Sequence, residues 1–186
     1  QDETQLRGPH NAENLLAASA VAEAEGLPPA AVREAFSKYR ALPHRCEVVR
    51  VRAGVTWVND SKATNLDAME RAVAGMEGSV ILIAGGKDKG FDFSESRTAL
   101  AGKVRGAFLV GEMAERIEKA WIGAVPCRRV PSMEAAVKRA AEMAVRGETV
   151  LLSPGCSSYD MFENFEDRGE KYRQSVIALP EEEDRK

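Results

Sequence analysis

Histidine is almost absent from this sequence: His10 and His44 are the only two among 186 residues. That excludes a histidine-rich metal site. Cysteine is scarce too. Cys46, Cys127 and Cys156 are odd in number, scattered, and form no C-x-x-C pair. This argues against a zinc knuckle and a disulfide framework, and fits a reducing cytosol. Neither sign of charge dominates, with 26 Lys+Arg against 29 Asp+Glu and a formal net charge of -3. A balance of that kind leaves no broad footprint for nucleic acid or an anionic membrane. No apolar run approaches bilayer-spanning length. No internal repeat is found, and the only biased stretch is the tail Glu181-Glu182-Glu183-Asp184, read as a solvated end. The chain opens at Gln1 without an initiator Met or a charged-then-apolar leader. It therefore reads as a piece of a longer cytoplasmic protein.

What is present is an ordinary globular composition, 44% hydrophobic and 30% charged. It is long enough for a real core in one domain with something left over. Residues 1–45 read as helical. Alanines and leucines run from Asn11 to Ala24, Gly26 stops them, and a second helix follows from Pro29 to Tyr39. From Cys46 the texture changes. Glu47–Arg52 and Val55–Asn59 flank Ala53-Gly54 as a hairpin. Val80–Ala84, Ala107–Val110 and Thr149–Leu152 are continuous apolar runs, as in strands covered on both faces, and Arg128–Val130 is a weaker strand. Between them lie helical stripes, Leu66-Met69-Val73-Met76 and Met133-Ala136-Val137-Ala140-Ala144, with Ser94, Ser132 and Asn65 as N-caps. The expected fold is α/β: a Rossmann-like, mostly parallel sheet with helices on both faces and an N-terminal hairpin, over 46–180. A short helical segment from a neighbouring domain precedes it (1–45), and 181–186 is a tail.

Ligands of open parallel sheets sit beyond the carboxyl ends of the strands. That rule selects Asp60–Asn65, Gly85–Phe93 and Ser153–Phe162. Gly85-Gly86-Lys87-Asp88-Lys89-Gly90 offers close backbone approach and two cations, yet it has the spacing of neither a P-loop nor a dinucleotide fingerprint. It reads equally as a structural turn. Capping alone would not need Asp60, Lys62 and Thr64 together before a helix, which favours function there. Cys156 invites a nucleophile reading, but no histidine is close in sequence, so a structural, half-buried thiol is the better one. Asn164–Gly169 breaks the helical pattern, and Phe165 reads either as the lip of the crevice or as simple core.

Taken together, Val58-Asn59-Asp60-Ser61-Lys62-Ala63-Thr64-Asn65, Gly85-Gly86-Lys87-Asp88-Lys89-Gly90 and Leu152-Ser153-Pro154-Gly155-Cys156-Ser157-Ser158-Tyr159-Asp160 resemble the Mur ligase family. His10-Asn11-x-x-Asn14 and Leu42-Pro43-His44-Arg45 add two matches in the right order, so the resemblance covers essentially the whole chain. Branches that add other amino acids, and the folylpolyglutamate synthetases, typically carry a histidine-containing D-x-A-H-N-P-like segment in place of Asp60–Asn65. The difference favours the D-glutamate-adding branch.

The resemblance implies a three-domain enzyme of peptidoglycan synthesis. ATP phosphorylates the carboxylate of UDP-N-acetylmuramoyl-L-alanine, and the D-glutamate amine then attacks the acyl phosphate. By the same resemblance Lys62 reaches the transferring phosphoryl group. Thr64, Lys89, Ser158, the backbone around Tyr159, and Phe165 hold D-glutamate. Asn11 and Asn14 contact adenine and ribose, and Arg45 and Asp60 reach ATP. Tyr159 stands where the family has leucine, and Gly155 where it has alanine; both read as mild departures. The P-loop, the Mg²⁺ ligands and the modified lysine belong to a central domain upstream of Gln1, so no metal ligand is expected here. The chain alone is expected to be inactive, to bind D-glutamate weakly at most, to be a monomer, and to hinge near Pro43–Cys46. Two rivals remain: another Mur-type or folylpolyglutamate-type ligase domain, and a non-catalytic anion-binding module.

Overall fold

A computed structural model describes residues 9–39 and 42–180, with the side chains of 9–11 outside the described set. The tail expected over 181–186 also lies outside the described residues. The chain falls into two compact units, 1–43 and 44–186.

In the first unit, α1 (Pro9–Ala24) ends at Gly26, whose φ of +72° suits the left-handed turn after a helix. Helix α2 (Pro29–Lys38) starts with Pro at its first position, where a missing N–H costs nothing. Ala22 is the only buried residue among those described in this unit. Two such helices bury too little to be stable by themselves.

The second unit carries a six-stranded sheet. Its strands are β1 (Glu47–Arg52), β2 (Val55–Asn59), β3 (Val80–Gly85), β4 (Val104–Val110), β5 (Cys127–Arg129) and β6 (Thr149–Leu152). They lie in the order β1-β2-β6-β3-β4-β5, with only β1 antiparallel. The β1–β2 hairpin turns through Ala53 (φ +51°) and Gly54 (φ +74°). Two successive positive φ angles are what the twist of a two-residue hairpin demands. Helices α3 (Leu66–Gly75), α4 (Arg97–Leu100) and α5 (Ala114–Ala120) cover one face, burying Met69, Leu82, Leu109 and Trp121. Helices α6 (Met133–Met143) and α7 (Phe165–Ile177) cover the other, over Ile81, Ile83, Val150 and Tyr172. The α/β architecture expected from the apolar runs is therefore the one observed.

The details differ in several places. Strand β4 begins at Val104, earlier than its apolar run, because Arg105 points outward to pair with Glu148 and so interrupts the pattern. Strand β5 sits one residue earlier than expected. Ser94 is not an N-cap: its N–H is captured by the Asp92 carboxylate (2.9 Å), and α4 starts only at Arg97. Helix α5 was not anticipated, since only Ile117 and Ala114 of its seven residues are buried. Asn164–Gly169 does not break the helical pattern but opens α7. The Asn164 side chain accepts from the Asp167 N–H (2.7 Å), and the interior glycine is required by a neighbour: a Cβ at Gly169 would collide with the His44 ring. The compact units divide at 43/44, and the His44 ring packs against Gly169 of α7.

Candidate functional site

The chain leaves β2, β3 and β4 toward the α3–α5 face but leaves β6 toward the α7 face. Neighbouring strands β3 and β6 thus send their loops to opposite sides. The edge beyond their carboxyl ends is the usual place for a ligand in such a sheet.

Backbone hydrogen bonds lace the loops there together. Gly85 N–H donates to Pro154 O (2.9 Å), Lys87 N–H to Ser157 O (2.9 Å), Gly155 N–H to Ala63 O (3.0 Å) and Met113 N–H to Gly86 O (3.0 Å). Gly86 has to be glycine: its φ is +138°, and a Cβ would drive into the Ser157 carbonyl. Asn65 and Asn164 cap α3 and α7, so two helix N-termini open onto this edge.

Two buried charged groups support the loops from below. Arg168, 1% exposed, donates from Nε to Ser61 Oγ (2.9 Å), from Nη2 to Ser61 O (2.8 Å) and from Nη1 to Cys156 O (3.0 Å). Burial pulls its pKa down to about 10. Asp60, 7% exposed, accepts from the Cys46 N–H (3.1 Å) and the Ser153 hydroxyl (3.0 Å). Burial pushes its carboxyl up to about 6, against the pull of those hydrogen bonds.

Two ammonium groups stand above. Lys62 Nζ lies 3.8 Å from the centroid of the Phe165 ring. Lys89 Nζ donates to Thr64 O (3.3 Å) and sits 5.5 Å from the Phe91 centroid. Neither is paired with a carboxylate among the described residues. Two cations without carboxylate partners beside aromatic rings are the chemistry that recognises a small anion.

The family model described as "Mur ligase, glutamate ligase domain" matches residues 44–156, more than half of the chain. The chain belongs to the Mur ligase family. Among curated Mur ligases, the UDP-N-acetylmuramoylalanine–D-glutamate ligase of Myxococcus xanthus is 47% identical over 174 residues, which cover 94% of this chain and 38% of that protein. Its counterpart in Pseudomonas syringae pv. tomato is 46% identical over 181 residues, covering 95% and 40%. The chain thus spans about two fifths of the length of the curated relatives it matches. Among solved structures, a Mycobacterium tuberculosis folylpolyglutamate synthase complexed with ADP and AMPPCP superposes with a TM-score of 0.66 at 18% identity, over 96% of this chain and 42% of that one. A murein peptide ligase from Psychrobacter arcticus gives 0.59 at 15%, over 95% and 39%. Those two likenesses show the fold.

Within this Mur ligase chain the expected site residues fall into groups. Lys62 meets Phe165, which is half-buried at the rim and not simple core. Lys89 meets Thr64. Ser158 is buried, one residue beyond the Lys87–Ser157 bridge, and Tyr159 is exposed. Arg45 is exposed beside the inward-facing Asp60. Asn14 is exposed on α1 in the other unit, and the Asn11 side chain lies outside the described residues. Cys156 is fully buried and not half-buried, and burial pushes its thiol up to about 12, which disables it as a nucleophile. Gly155 has φ +65° with Met69 Sδ 3.2 Å from where a Cβ would lie, so its departure from alanine matters locally more than expected.

Arg168 was missed as a site element, as were Asn59, Ser61 and His44. For Arg168 the signal was available: Phe165, Arg168, Gly169, Tyr172 and Val176 form one helical stripe, and a basic residue on the inner stripe of a helix needs a polar reason to be there. Among the described residues no group of three or more His, Cys, Asp or Glu could hold a metal ion, and none of their helices is long and apolar enough to cross a membrane.

Proposed function

We propose that this chain is the acceptor-binding part of an ATP-dependent ligase that adds D-glutamate to UDP-N-acetylmuramoyl-L-alanine in the bacterial cytoplasm. The observation that carries this reading is the pair of cations without carboxylate partners, Lys62 against Phe165 and Lys89 against the Thr64 carbonyl, on the loops that follow β2 and β3. The high identity to ligases named for D-glutamate supports it, as does Lys62-Ala63-Thr64 in the place of a histidine-containing segment.

A carboxylate is a poor electrophile, and phosphorylation by ATP supplies its leaving group. The D-glutamate nitrogen then forms the amide bond to the acyl carbon while the carbon–oxygen bond to phosphate breaks, with loss of a proton from nitrogen. In this reading Lys62 offsets the negative charge on the transferring phosphoryl group and on the departing phosphate. Lys89, Thr64 and Ser158 hold the acceptor's carboxylates, with the Tyr159 backbone and Phe165 as walls. Arg45 is assigned to ATP, and Asn11 and Asn14 to its adenine and ribose, on the family resemblance alone. Asp60 acts by holding Cys46 and Ser153 in place. The described residues do not fit a Mg²⁺ site, and no step here passes through one. ATP-binding and metal-binding groups beyond this chain complete the site, so the chain alone makes no amide, and it works as a monomer with no nucleic acid or membrane partner.

Phosphate release by the longer protein that carries this chain tests the reading. Release should depend on D-glutamate and not on L-glutamate. Lys89→Ala should abolish that dependence while nucleotide binding stays as before. Preference for L-glutamate, or amide formation by the chain alone, would overturn it.

A further inference from the structure

Lys62 and Phe165 are both held through one residue, His44. Its carbonyl accepts the Lys62 N–H (3.0 Å). Its ring meets the Phe165 ring edge-on at 6.2 Å between centroids, and Phe165 in turn lies under the Lys62 ammonium. His44 is 9% exposed and has φ +64°, a conformation that costs a residue with a Cβ about 1–2 kcal/mol. Strain of this kind persists only when the surroundings over-determine it, and here they do. The His44 N–H donates to Glu47 Oε2 (3.1 Å), and Glu47 Oε1 is held by Arg173 of α7. The ring presses on Gly169, which leaves no room for a Cβ.

The last constraint is Asn59, at the end of β2 and fully buried. Its Nδ2 donates to Gly169 O (3.1 Å) and meets His44 Nδ1 at 3.0 Å. Its Oδ1 accepts the Ser61 N–H (3.2 Å). The amide cannot be turned over, because that would set its oxygen against the Gly169 carbonyl and its NH₂ against the Ser61 N–H. Nδ1 of His44 is therefore the acceptor, and the proton of the neutral ring sits on Nε2.

We propose that Asn59 and His44 are a positioning pair for the ligation step: Asn59 fixes the tautomer and pose of His44, and His44 sets the Lys62 backbone and the Phe165 ring. Neither touches the substrates. The role rests on the ligase reading of Lys62 and Phe165; the tautomer does not.

Ring ¹⁵N spectra of the chain test the tautomer, with only His10 as a second histidine. The His44 resonances should show an unprotonated Nδ1 and a protonated Nε2. A protonated Nδ1 would overturn the pair. Asn59→Asp places an acceptor opposite Nδ1 and should move the proton there. In the longer protein it should lower kcat roughly 10- to 100-fold, the scale expected for displacing a positioned group by about an ångström, with KM for ATP unchanged. Gly169→Ala is the second variant. Alanine favours the helix, yet its Cβ must push the His44 ring away, so α7 should keep its helicity while kcat falls in the same range. An active parent whose folded variants turn over at the parental rate overturns the positioning role alone. A parent that makes no amide from D-glutamate overturns the ligase reading and the role together.

Discussion

Replacing Asp60 by Asn should stabilise the protein at neutral pH and flatten its response to acid. Asp60 is 7% exposed, and burial raises its carboxyl from 3.8 to about 6. The hydrogen bonds from the Cys46 N–H and the Ser153 hydroxyl, and the nearby charge of Arg45, pull the other way without cancelling that cost. The sign follows. Between about pH 4 and pH 6 the folded state holds this proton and the unfolded state has released it, so stability falls as pH rises through that window and is level above it. A displacement of this size corresponds to about 3 kcal/mol between the two plateaus. Asn keeps the shape: its oxygen still accepts from Cys46, and its amide can donate to the Ser153 oxygen. Urea unfolding of parent and variant, followed by the fluorescence of the buried Trp57 and Trp121, reads the difference directly. The two midpoints should coincide near pH 4 and separate by roughly 1–2 M by pH 7, given typical urea slopes for a domain of this size. Midpoints whose separation is the same at pH 4 and pH 7 would refute the burial argument. On the ligase reading the stabilised variant should also be slower, because it removes the negative charge beside Arg45.

Arg168→Met strands the Ser61 and Cys156 carbonyls that the guanidinium satisfies, and should cost about 3–5 kcal/mol in denaturant unfolding; a loss under about 1 kcal/mol would mean the guanidinium is not a support. Lys62→Ala gives up only a rim contact with Phe165. It should change stability by about 1 kcal/mol or less, while ATP- and D-glutamate-dependent phosphate release by the longer protein disappears. Ala53→Asn puts a residue tolerant of φ +51° into the hairpin turn and should raise the thermal midpoint, with a gain of about 0.5–1 kcal/mol; an unchanged or lower midpoint would contradict the turn assignment.

The sheet was legible because it is buried on both faces, so β3 and β6 read as unbroken apolar runs. Legibility failed where tertiary partners override local pattern. Arg105 interrupts β4 because it has Glu148 to meet. Gly169 looks like a helix breaker until His44 is seen against it. The three loops were legible as a group because strand ends in a parallel sheet share one edge. Their lacing was legible only in part, since Gly85 to Pro154, Lys87 to Ser157 and Gly155 to Ala63 are backbone N–H to backbone carbonyl, and such bonds leave no trace in residue type. The remaining ties run through the polar side chains of Asp60, Lys89 and Arg168, and those were the available clue.

Exposure divides this edge into supports and tips. Asp60, Arg168, Asn59, Ser61 and Ser153 are buried and spend their polar atoms on one another or on backbone. Lys89, Arg45 and Tyr159 are exposed, and Lys62 and Phe165 lie between. On the ligase reading, a dianion arriving at such an edge meets cations whose stems are free to adjust but whose Cα atoms are held by the buried floor. Only the tips lose freedom on binding, which keeps the ordering cost small. The floor is where the protein sacrifices stability, in a desolvated carboxylate and a desolvated guanidinium that do not neutralise each other directly. An apolar floor would be cheaper, but it could not tie Cys46, Ser61, Ser153 and Cys156 from three separate segments at fixed spacing. The costs therefore sit in the residues that set geometry, and on the ligase reading the residues offered to substrate are left unpaired.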